Sequence, residues 1–484
     1  MAWKKTGLSR LCRAMAFLLC FVFCMLPAFS SAGSADSGTL ALSLPAEVKA
    51  YTWSVIKVSA PADGEALLTL YDSLGNPWLY RHETLSEGEN LLSWNGLGAG
   101  GELLMSGPFR FDAVLKGSDG REWKTSADFT IRGNAPALGL ALPSSDILYL
   151  DQKVRWFVEC WVPGSYIVAL EVLDRDGTVV YSKDTLLEDP DRDVLRWNGV
   201  GKDHQKVAPG EYTVRLYAKR NPDFAREFPL TVVETMPELP PVSVTGPIVP
   251  ERGMSDTEIW EIMMKPSVVI SATGWTRRFK LRESPSARSA VVGYVCCATQ
   301  GLEILAVEGD WAQVRTSDYD TAQIVTGWYP VRELAVTAPA PHYGVLVDKQ
   351  NQTLTVYHDG EQVGTVPVST GLAAKRHETC PGAFLTDVHF SPSFAQDGAR
   401  YDYPLRYQGG SIIHSTGFDR IPHRDYSVKD YSTNLPLLGQ KASHGCVRVS
   451  PFTTEDCPVN SYWLWTHLSY HSRVIVLDDD TGTP

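Results

Sequence analysis

The chain has 484 residues, too many for one hydrophobic core, and roughly three to five domains are expected. Its content of 44% apolar and 21% charged residues is ordinary for a globular protein. The formal net charge of −12 argues against a nucleic-acid binder, which usually carries a basic face. The counts of glycine (39), proline (31) and tryptophan (14) favour short strands and turns over long helices.

Residues 1–32 have the pattern of an export signal. A basic start is followed by an apolar run of about 16 residues, Ala14 to Phe29, and then by small residues up to Ala32. The alternative is a permanent membrane anchor, but this run is short against the about 20 residues that a spanning helix needs. We predict cleavage near Ala32 and export to the cell wall, extracellular space or periplasm.

Six cysteines remain after the predicted signal: Cys160, Cys296, Cys297, Cys380, Cys446 and Cys457. Export makes disulfides chemically accessible to them. Their scattered spacing, however, does not match the compact framework of small disulfide-rich domains.

Two segments of the first half repeat each other at an offset of about 103 residues. Leu92–Gly96 (LSWNG) recurs as Leu195–Gly199 (LRWNG). Short alternating runs between turn signals predict two copies of a small β domain, at 36–134 and 135–233. Both copies resemble the immunoglobulin-like module of flagellar hook-capping proteins, which implies a β-sandwich and no activity.

A proline-rich linker at 234–267 and a third small domain at 268–336 come next. The linker is stiff in its first part, and Asp256 to Met264 is compatible with one short helix. The third domain is similar to bacterial SH3-like barrels in three segments: Leu281–Ser286 (LRESPS), Gly309–Val314 (GDWAQV) and Gly327–Tyr329 (GWY). That resemblance implies a module that binds cell-wall peptides, and a plain spacer is the alternative.

The last domain, 342–478, reads as mainly β. Its start predicts strands at Val345–Val347 and Thr353–Tyr357, a turn at His358–Gly360 and a further strand at Val363–Val368. Proline-rich boundaries before it predict that a fragment starting near Thr337 folds by itself.

The chemistry is concentrated in Ser443–Arg448 (SHGCVR) and in His414 upstream of it. A cysteine becomes a strong nucleophile as the thiolate, and a nearby imidazole can produce that state. Gly445 lets the backbone turn sharply next to Cys446 and point N–H groups at a developing oxyanion. A nucleophile, a base and oxyanion donors are the parts that acyl transfer requires.

These residues resemble the L,D-transpeptidase catalytic domain of YkuD type. Ser443–Arg448 fits the family motif at every position, and two earlier segments agree with it, namely Val368–Gly371 (VSTG) and Thr379–Phe384 (TCPGAF). The whole chain is therefore expected to be mainly β and multi-domain: two immunoglobulin-like β-sandwiches, an SH3-like barrel and a C-terminal β-rich catalytic domain.

The resemblance implies a cysteine acyltransferase that cross-links peptidoglycan stem peptides through a thioester and releases D-alanine. It implies Cys446 as nucleophile and His414 as base, with no cofactor and no metal. The other expected site residues are, for the oxyanion or for orientation, His444, Gly445 and Ser415, and, for substrate binding, Ser443 and Arg448.

Several alternatives stay open at this stage. The loop between His414 and Ser443 is longer than usual for the family, and His423 in it is an alternative base. A zinc site at His377, Cys380, His444 and Cys446 has suitable residue types but no usual zinc spacing. For function, the alternatives are an L,D-carboxypeptidase of the same fold and a non-catalytic wall-binding protein.

Overall fold

The computed structural model describes residues 38–479, except 153–155, 190–192, 273–276, 297, 375–376, 390 and 397. The predicted signal at 1–32 and Cys297 lie outside the described residues. Strands make up 52% and there are two α-helices in the described chain, which confirms the mainly β prediction. Within these same ranges, no helix has the length and apolarity that crossing a membrane requires.

Eight strands form a first two-layer sandwich: β1 (Ala41–Ser43), β2 (Glu47–Ala50), β3 (Ser54–Ala60), β4 (Gly64–Asp72), β5 (Pro77–Leu85), β6 (Gly88–Trp94), β7 (Gly107–Gly117) and β8 (Glu122–Asn134). One sheet has the order β1-β3-β6 and the other β2-β8-β7-β4-β5. Alternate residues of both sheets, among them Ile56, Leu68 and Phe111, point inward and form one core.

The next eight strands repeat this arrangement: β9 (Leu140–Pro143), β10 (Ile147–Tyr149), β11 (Trp156–Trp161), β12 (Ser165–Leu173), β13 (Val179–Glu188), β14 (Asp193–Trp197), β15 (Gly210–Ala218) and β16 (Arg226–Val233). The sheets are β14-β11-β9 and β10-β16-β15-β12-β13. A separate core contains Val158, Leu170 and Trp197. The finer resemblance to immunoglobulin-like modules stays a prediction.

The repeated Trp-Asn-Gly sequence builds the same turn twice. The indole N–H of Trp94 donates to the Leu97 carbonyl, and that of Trp197 donates to the Val200 carbonyl, each at 2.9 Å. The glycine of each copy has a φ of +76°, in the left-handed region that glycine adopts without strain. The tryptophans therefore serve packing and turn formation.

A short helix and a small sheet follow the second sandwich. The helix α1 (Asp256–Met263) begins with a capping box between Ser255 and Glu258. The strands of this region are β17 (Ser267–Ile270), β18 (Arg278–Arg282), β19 (Val291–Cys296), β20 (Glu303–Glu308), β21 (Trp311–Ser317), β22 (Ile324–Pro330) and β23 (Leu334–Thr337). Five of them form a sheet with the order β19-β18-β22-β21-β20, and β17 pairs separately with β23. The SH3-like identity of this region stays a prediction.

The last domain is built on one eight-stranded sheet. Its strands are β24 (Tyr343–Asp348), β25 (Thr353–His358), β26 (Glu361–Ser369), β27 (Gly382–Leu385), β30 (Leu405–Gln408), β31 (Ser411–Ser415), β34 (Val447–Val449) and β35 (Arg473–Leu477). Their order in the sheet is β27-β35-β24-β25-β26-β34-β31-β30. Two hairpins, β28 (Ser393–Gln396) with β29 (Ala399–Asp402) and β32 (Asp419–Pro422) with β33 (Ser427–Asp430), and the helix α2 (Ser461–His467) complete it. The three strands predicted at its start are confirmed.

Apolar surfaces of the earlier regions are buried against this domain. Trp161 of the second sandwich packs against Trp465 of α2, and Ile262 of α1 packs against Ile475 of β35. Thr39 onward accordingly forms one compact unit. The prediction that a fragment starting near Thr337 folds alone rested only on the proline-rich boundaries before the last domain. The buried contacts between domains argue against it.

Candidate active site

Two neighbouring strands position the predicted nucleophile and base. β31 and β34 are parallel, and His414 pairs with Arg448 in their register. Since side chains alternate across a strand, Cys446, Arg448 and His414 share one face of the sheet. The intervening Val447, Val449 and Ile413 point to the other face, into the hydrophobic core.

A cavity of about 190 Å³ opens at this face. Four predicted site residues line it, namely His414, His444, Cys446 and Arg448. The other lining residues are Phe394, Gln396 and Tyr401. Cys446 is half-buried and His444 is exposed. The structure therefore brings the predicted nucleophile and both motif histidines to one place.

The hydrogen bond of His414 determines its tautomer. Nδ1 lies 2.6 Å from the backbone carbonyl oxygen of Ser415. A carbonyl only accepts, so Nδ1 carries the proton and Nε2 carries the lone pair that a base needs. Ser415 thus orients His414 as predicted in outline, but through its backbone carbonyl, because its hydroxyl donates to the Thr416 carbonyl.

Burial controls the charge of both reacting groups. It lowers the pKa of His414 to about 3, with a smaller contribution from the nearby positive charge of Arg448. Burial also raises the pKa of the Cys446 thiol, against a backbone hydrogen bond from Ile412 and the charge of Arg448. The resting pair is therefore a neutral imidazole and a neutral thiol.

Aromatic side chains enclose the imidazole. The ring of Tyr401 meets His414 edge to face with centroids 4.6 Å apart, and Phe394 does so at 5.4 Å. The Arg448 guanidinium lies 5.8 Å from the centre of the same Tyr401 ring. Tyr401 thus contacts both the imidazole and the guanidinium, and its position shortly before His414 in the chain is the sequence signal that could have pointed to it.

The turn before Cys446 is held by hydrogen bonds within the motif. Gly445 has a φ of +108°, which a residue with a side chain rarely adopts. The Ser443 hydroxyl accepts from the Gly445 N–H at 3.2 Å and donates to the Cys446 carbonyl at 2.5 Å. Ser443 is fully buried, so the structure assigns its hydroxyl to the turn and not to the cavity wall where a substrate contact was predicted.

The earlier motif segments meet at this turn. The Thr379 hydroxyl accepts from the Gly371 N–H at 2.9 Å and donates to the Gly445 carbonyl at 3.0 Å. Gly371 and Ser443 also form a parallel bridge. Three segments that are distant in sequence therefore fix the backbone around Cys446.

Arg448 and His444 complete the polar lining of the cavity. Arg448 Nη1 donates to the Ala442 carbonyl at 3.3 Å, while its buried Nε has no hydrogen-bond partner in the described structure. The ring of His444 lies 4.4 Å from that of His377. Cys380, from the alternative zinc set, is buried with Sγ 4.0 Å from the Asp318 carbonyl oxygen.

The alternative base lies elsewhere. His423 is exposed at the end of the β32–β33 hairpin and stacks on Tyr426 at 4.4 Å. It does not line the cavity at Cys446. Tyr426 packs on the first sandwich, where a Cβ added to Gly107 would lie 3.1 Å from its ring. The long loop therefore contacts another domain.

Comparison with known proteins agrees with this geometry. Residues 342–476 match the family model of the L,D-transpeptidase catalytic domain, YkuD. YciB of Bacillus subtilis (strain 168), provisionally named an L,D-transpeptidase, is 25% identical over 141 residues, which cover 28% of this chain and 66% of that protein. These findings support a YkuD-type L,D-transpeptidase catalytic domain at residues 342–476.

Solved structures of the same class are also similar. An L,D-transpeptidase from Stackebrandtia nassauensis is 24% identical with a TM-score of 0.20, covering 29% of this chain and 58% of that one. One from Mycobacterium smegmatis is 15% identical with a TM-score of 0.22, covering 56% and 95%. The similarity of residues 342–476 to L,D-transpeptidase catalytic domains therefore rests on the family model and on YciB.

Proposed function

We propose that this chain is a cysteine acyltransferase of L,D-transpeptidase type that cross-links peptidoglycan stem peptides. One observation carries the proposal. Cys446, His414 and Arg448 share one face of a parallel strand pair and line one cavity, and the Ser415 carbonyl holds His414 as the tautomer with a basic Nε2. This arrangement suits nucleophilic attack at an amide carbonyl.

The first half-reaction forms a thioester. His414 Nε2 removes the proton from Cys446 Sγ while the sulfur attacks the carbonyl carbon of the third residue of a stem tetrapeptide. The tetrahedral intermediate then collapses, the carbon–nitrogen bond breaks, and the His414 proton leaves with the amine of D-alanine. Because the resting pair is neutral, proton transfer accompanies attack instead of preceding it.

The second half-reaction transfers the acyl group. A side-chain amine of another stem attacks the thioester, His414 accepts the amine proton, and the Cys446 thiol is restored as the new amide forms. The half-buried Arg448 is the group that binds a donor carboxylate, since its guanidinium offers two parallel N–H donors. His444, exposed at the cavity, orients the donor or the oxyanion.

The experiment is to incubate the protein with a defined disaccharide-tetrapeptide and to measure products by mass. A cross-linked dimer with free D-alanine is expected. Release of the tripeptide with free D-alanine would assign the L,D-carboxypeptidase alternative. No turnover by a folded protein, with the Cys446 thiol reduced, would favour the non-catalytic wall-binding alternative.

We further propose that the chain is exported and that the 268–336 region contributes to wall binding. The basic and apolar start supports export, and the resemblance to SH3-like barrels supports wall binding. N-terminal sequencing of protein from its native host should find a start near Gly33, and recovery of Met1 in a membrane fraction would favour an anchor.

A further inference from the structure

A second cavity, of about 630 Å³, lies between the second sandwich and the catalytic domain. None of its lining residues lines the cavity at Cys446. Its wall includes Asp146 from the sandwich and His342, His358 and Asp359 from the catalytic domain. The acyl-transfer reaction uses none of these four side chains.

Three of these side chains are spaced like metal ligands. His342 Nδ1 lies 2.8 Å from Asp359 Oδ1, and His358 Nε2 lies 3.4 Å from Asp359 Oδ2. One ligand atom from each of the three residues lies within 4.8 Å of the others. Zinc binds imidazole nitrogen and carboxylate oxygen at about 2.0–2.2 Å, so tetrahedral ligand atoms stand about 3.3 Å apart.

Asp146 supplies the hydrogen-bond acceptor that the second ring nitrogen of a metal-binding histidine usually has. Its Oδ2 lies 3.2 Å from His342 Nε2. Metal-binding histidines almost always donate their second ring N–H to a carboxylate, a carbonyl or water, which fixes the ring and makes the ligating nitrogen more basic. If Nδ1 of His342 binds the metal, Asp146 is the acceptor for Nε2–H.

The backbone holds the three residues together before any ion binds. His358 ends β25, and Asp359 lies in the turn before β26, where its φ of +49° is of the left-handed kind. The Asp359 N–H donates to the His342 carbonyl at 3.0 Å. The ring of His358 stacks on that of Tyr343 with centroids 4.4 Å apart.

A second cluster of possible metal ligands is already neutralised by a lysine. Glu378, Asp478 and Asp479 also have carboxylate oxygens close enough for an ion. The fully buried ammonium of Lys349 lies 2.6 Å from Glu378 and 2.7 Å from Asp478, so that cluster already has its cation. Among the described residues, the basic groups within 4.0 Å of Asp146 and Asp359 are the imidazoles of His342 and His358, which can bind a metal ion themselves, and no lysine or arginine lies that close.

We propose that His342, His358 and Asp359 bind a divalent transition-metal ion of the zinc class. A water molecule facing the cavity is the fourth ligand, and Asp146 accepts the hydrogen bond from His342. Binding needs the lone pair of His342 Nδ1. The ion joins His342 to the β25–β26 turn, His342 in turn contacts Asp146 of the second sandwich, and the ion takes no part in the thiol chemistry.

The test uses the whole chain without a histidine tag, in the Cys446→Ala background so that this thiol cannot bind metal. Zinc affinity is measured by competition with a chelating dye, and Co²⁺ is used as a spectroscopic substitute. We expect about one ion per chain, and a Co²⁺ spectrum of nitrogen and oxygen ligands without a thiolate charge-transfer band.

Substitutions at the cluster identify the ligands. His358→Gln and Asp359→Asn should each weaken zinc binding at least a hundredfold, and asparagine tolerates the positive φ at position 359. Asp146→Asn should weaken it by about 10–100-fold, the usual effect of losing such a partner. His204→Asn changes an exposed histidine of the second sandwich outside the cluster and should leave zinc affinity unchanged.

The proposal fails if the chain retains no zinc at micromolar concentration, or if His358→Gln, Asp359→Asn and Asp146→Asn all leave zinc affinity unchanged. A thiolate band in the Co²⁺ spectrum would also overturn it. Thermal unfolding of each variant is recorded with and without zinc. Asp146→Asn lies on a different domain from the ligands, so it remains informative if a ligand substitution impairs folding.

Discussion

The cavity at Cys446 and the β32–β33 hairpin belong to the same domain, and each carries a histidine, but the two histidines have different surroundings. His414 is 3% exposed, is enclosed by Tyr401 and Phe394, and has its tautomer set by a carbonyl. His423 is exposed and stacks on one tyrosine. Burial and a fixed second nitrogen make His414 the better candidate for the base, although His423 is nearer to Cys446 in sequence.

Replacing the nucleophile should have the largest effect. Cys446→Ala should abolish turnover of the proposed tetrapeptide donor, because no other group in the cavity can form the acyl intermediate. Cys446→Ser should be nearly as inactive, since a hydroxyl is far harder to deprotonate than a thiol, whose usual pKa is about 8.5. Product analysis by mass checks both, and Cys457→Ala is the matched control.

Removing the enclosed imidazole should have the next largest effect. His414→Ala should slow acylation by roughly 10²–10⁴-fold, the usual span for losing a general base. The fall should appear in kcat/KM, since proton transfer accompanies attack. A His414→Ala variant within fivefold of wild type would remove the distinction between the two histidines.

The buried state of His414 should also appear in stability. Its pKa is lowered to about 3, so between pH 6.5 and 3 the unfolded chain binds a proton that the folded chain does not. The free energy of unfolding is therefore unaffected by His414 above pH 6.5 and falls by up to about 1.4 kcal/mol per pH unit below it. Urea unfolding at several pH values should show a shallower acid decline for His414→Asn than for wild type.

If the two proteins instead lose stability in parallel between pH 6.5 and 4.5, the imidazole is not held neutral by burial. His423→Asn, at the exposed end of the β32–β33 hairpin, serves as the matched control for a histidine-to-asparagine substitution outside the cavity.

A smaller effect is expected at the cavity cation. Arg448→Lys keeps the charge but loses the planar pair of N–H donors, so KM for the donor should rise about tenfold, about 1.4 kcal/mol. The exposed Arg424→Lys on the β32–β33 hairpin should leave KM unchanged. Equal effects of the two substitutions would mean that Arg448 does not contact the donor.

The sequence predicted which residues meet at the site better than it predicted their surroundings. Ser443–Arg448 and His414 were recognisable because their residue types and the resemblance to the family motif indicate a nucleophile, a turn and a base, and these roles stay predictions. The Ser415 carbonyl could not be predicted as the acceptor for His414, because every residue carries such a group and only the fold directs one of them. The contacts of Tyr401 with His414 and Arg448 could not be predicted, because they depend on how the β28–β29 hairpin folds.

The fold shows the same limit. Alternating runs and the Trp-Asn-Gly repeat predicted two copies of a small β domain, since short strands and turns leave a local signal, whereas the two-layer arrangement was implied only by the family resemblance. The docking of these sandwiches on the catalytic domain was missed, because it depends on side chains such as Trp161 and Trp465 that any β domain would use for its own core. The cluster of His342, His358 and Asp359 was not predicted, because only the pairing of β24 with β25, in which Tyr343 lies opposite His358, brings His342 beside the turn.

The most direct test of the distinction between the two histidines is the rate at which Cys446 is acylated. Wild type, His414→Ala and His423→Ala are mixed with excess donor, and the acyl adduct on the Cys446 peptide is followed by mass over time. We expect a rate for His423→Ala within about twofold of wild type and a rate for His414→Ala roughly 10²–10⁴-fold lower. Comparable losses in the two variants, or an adduct on a different residue, would contradict it.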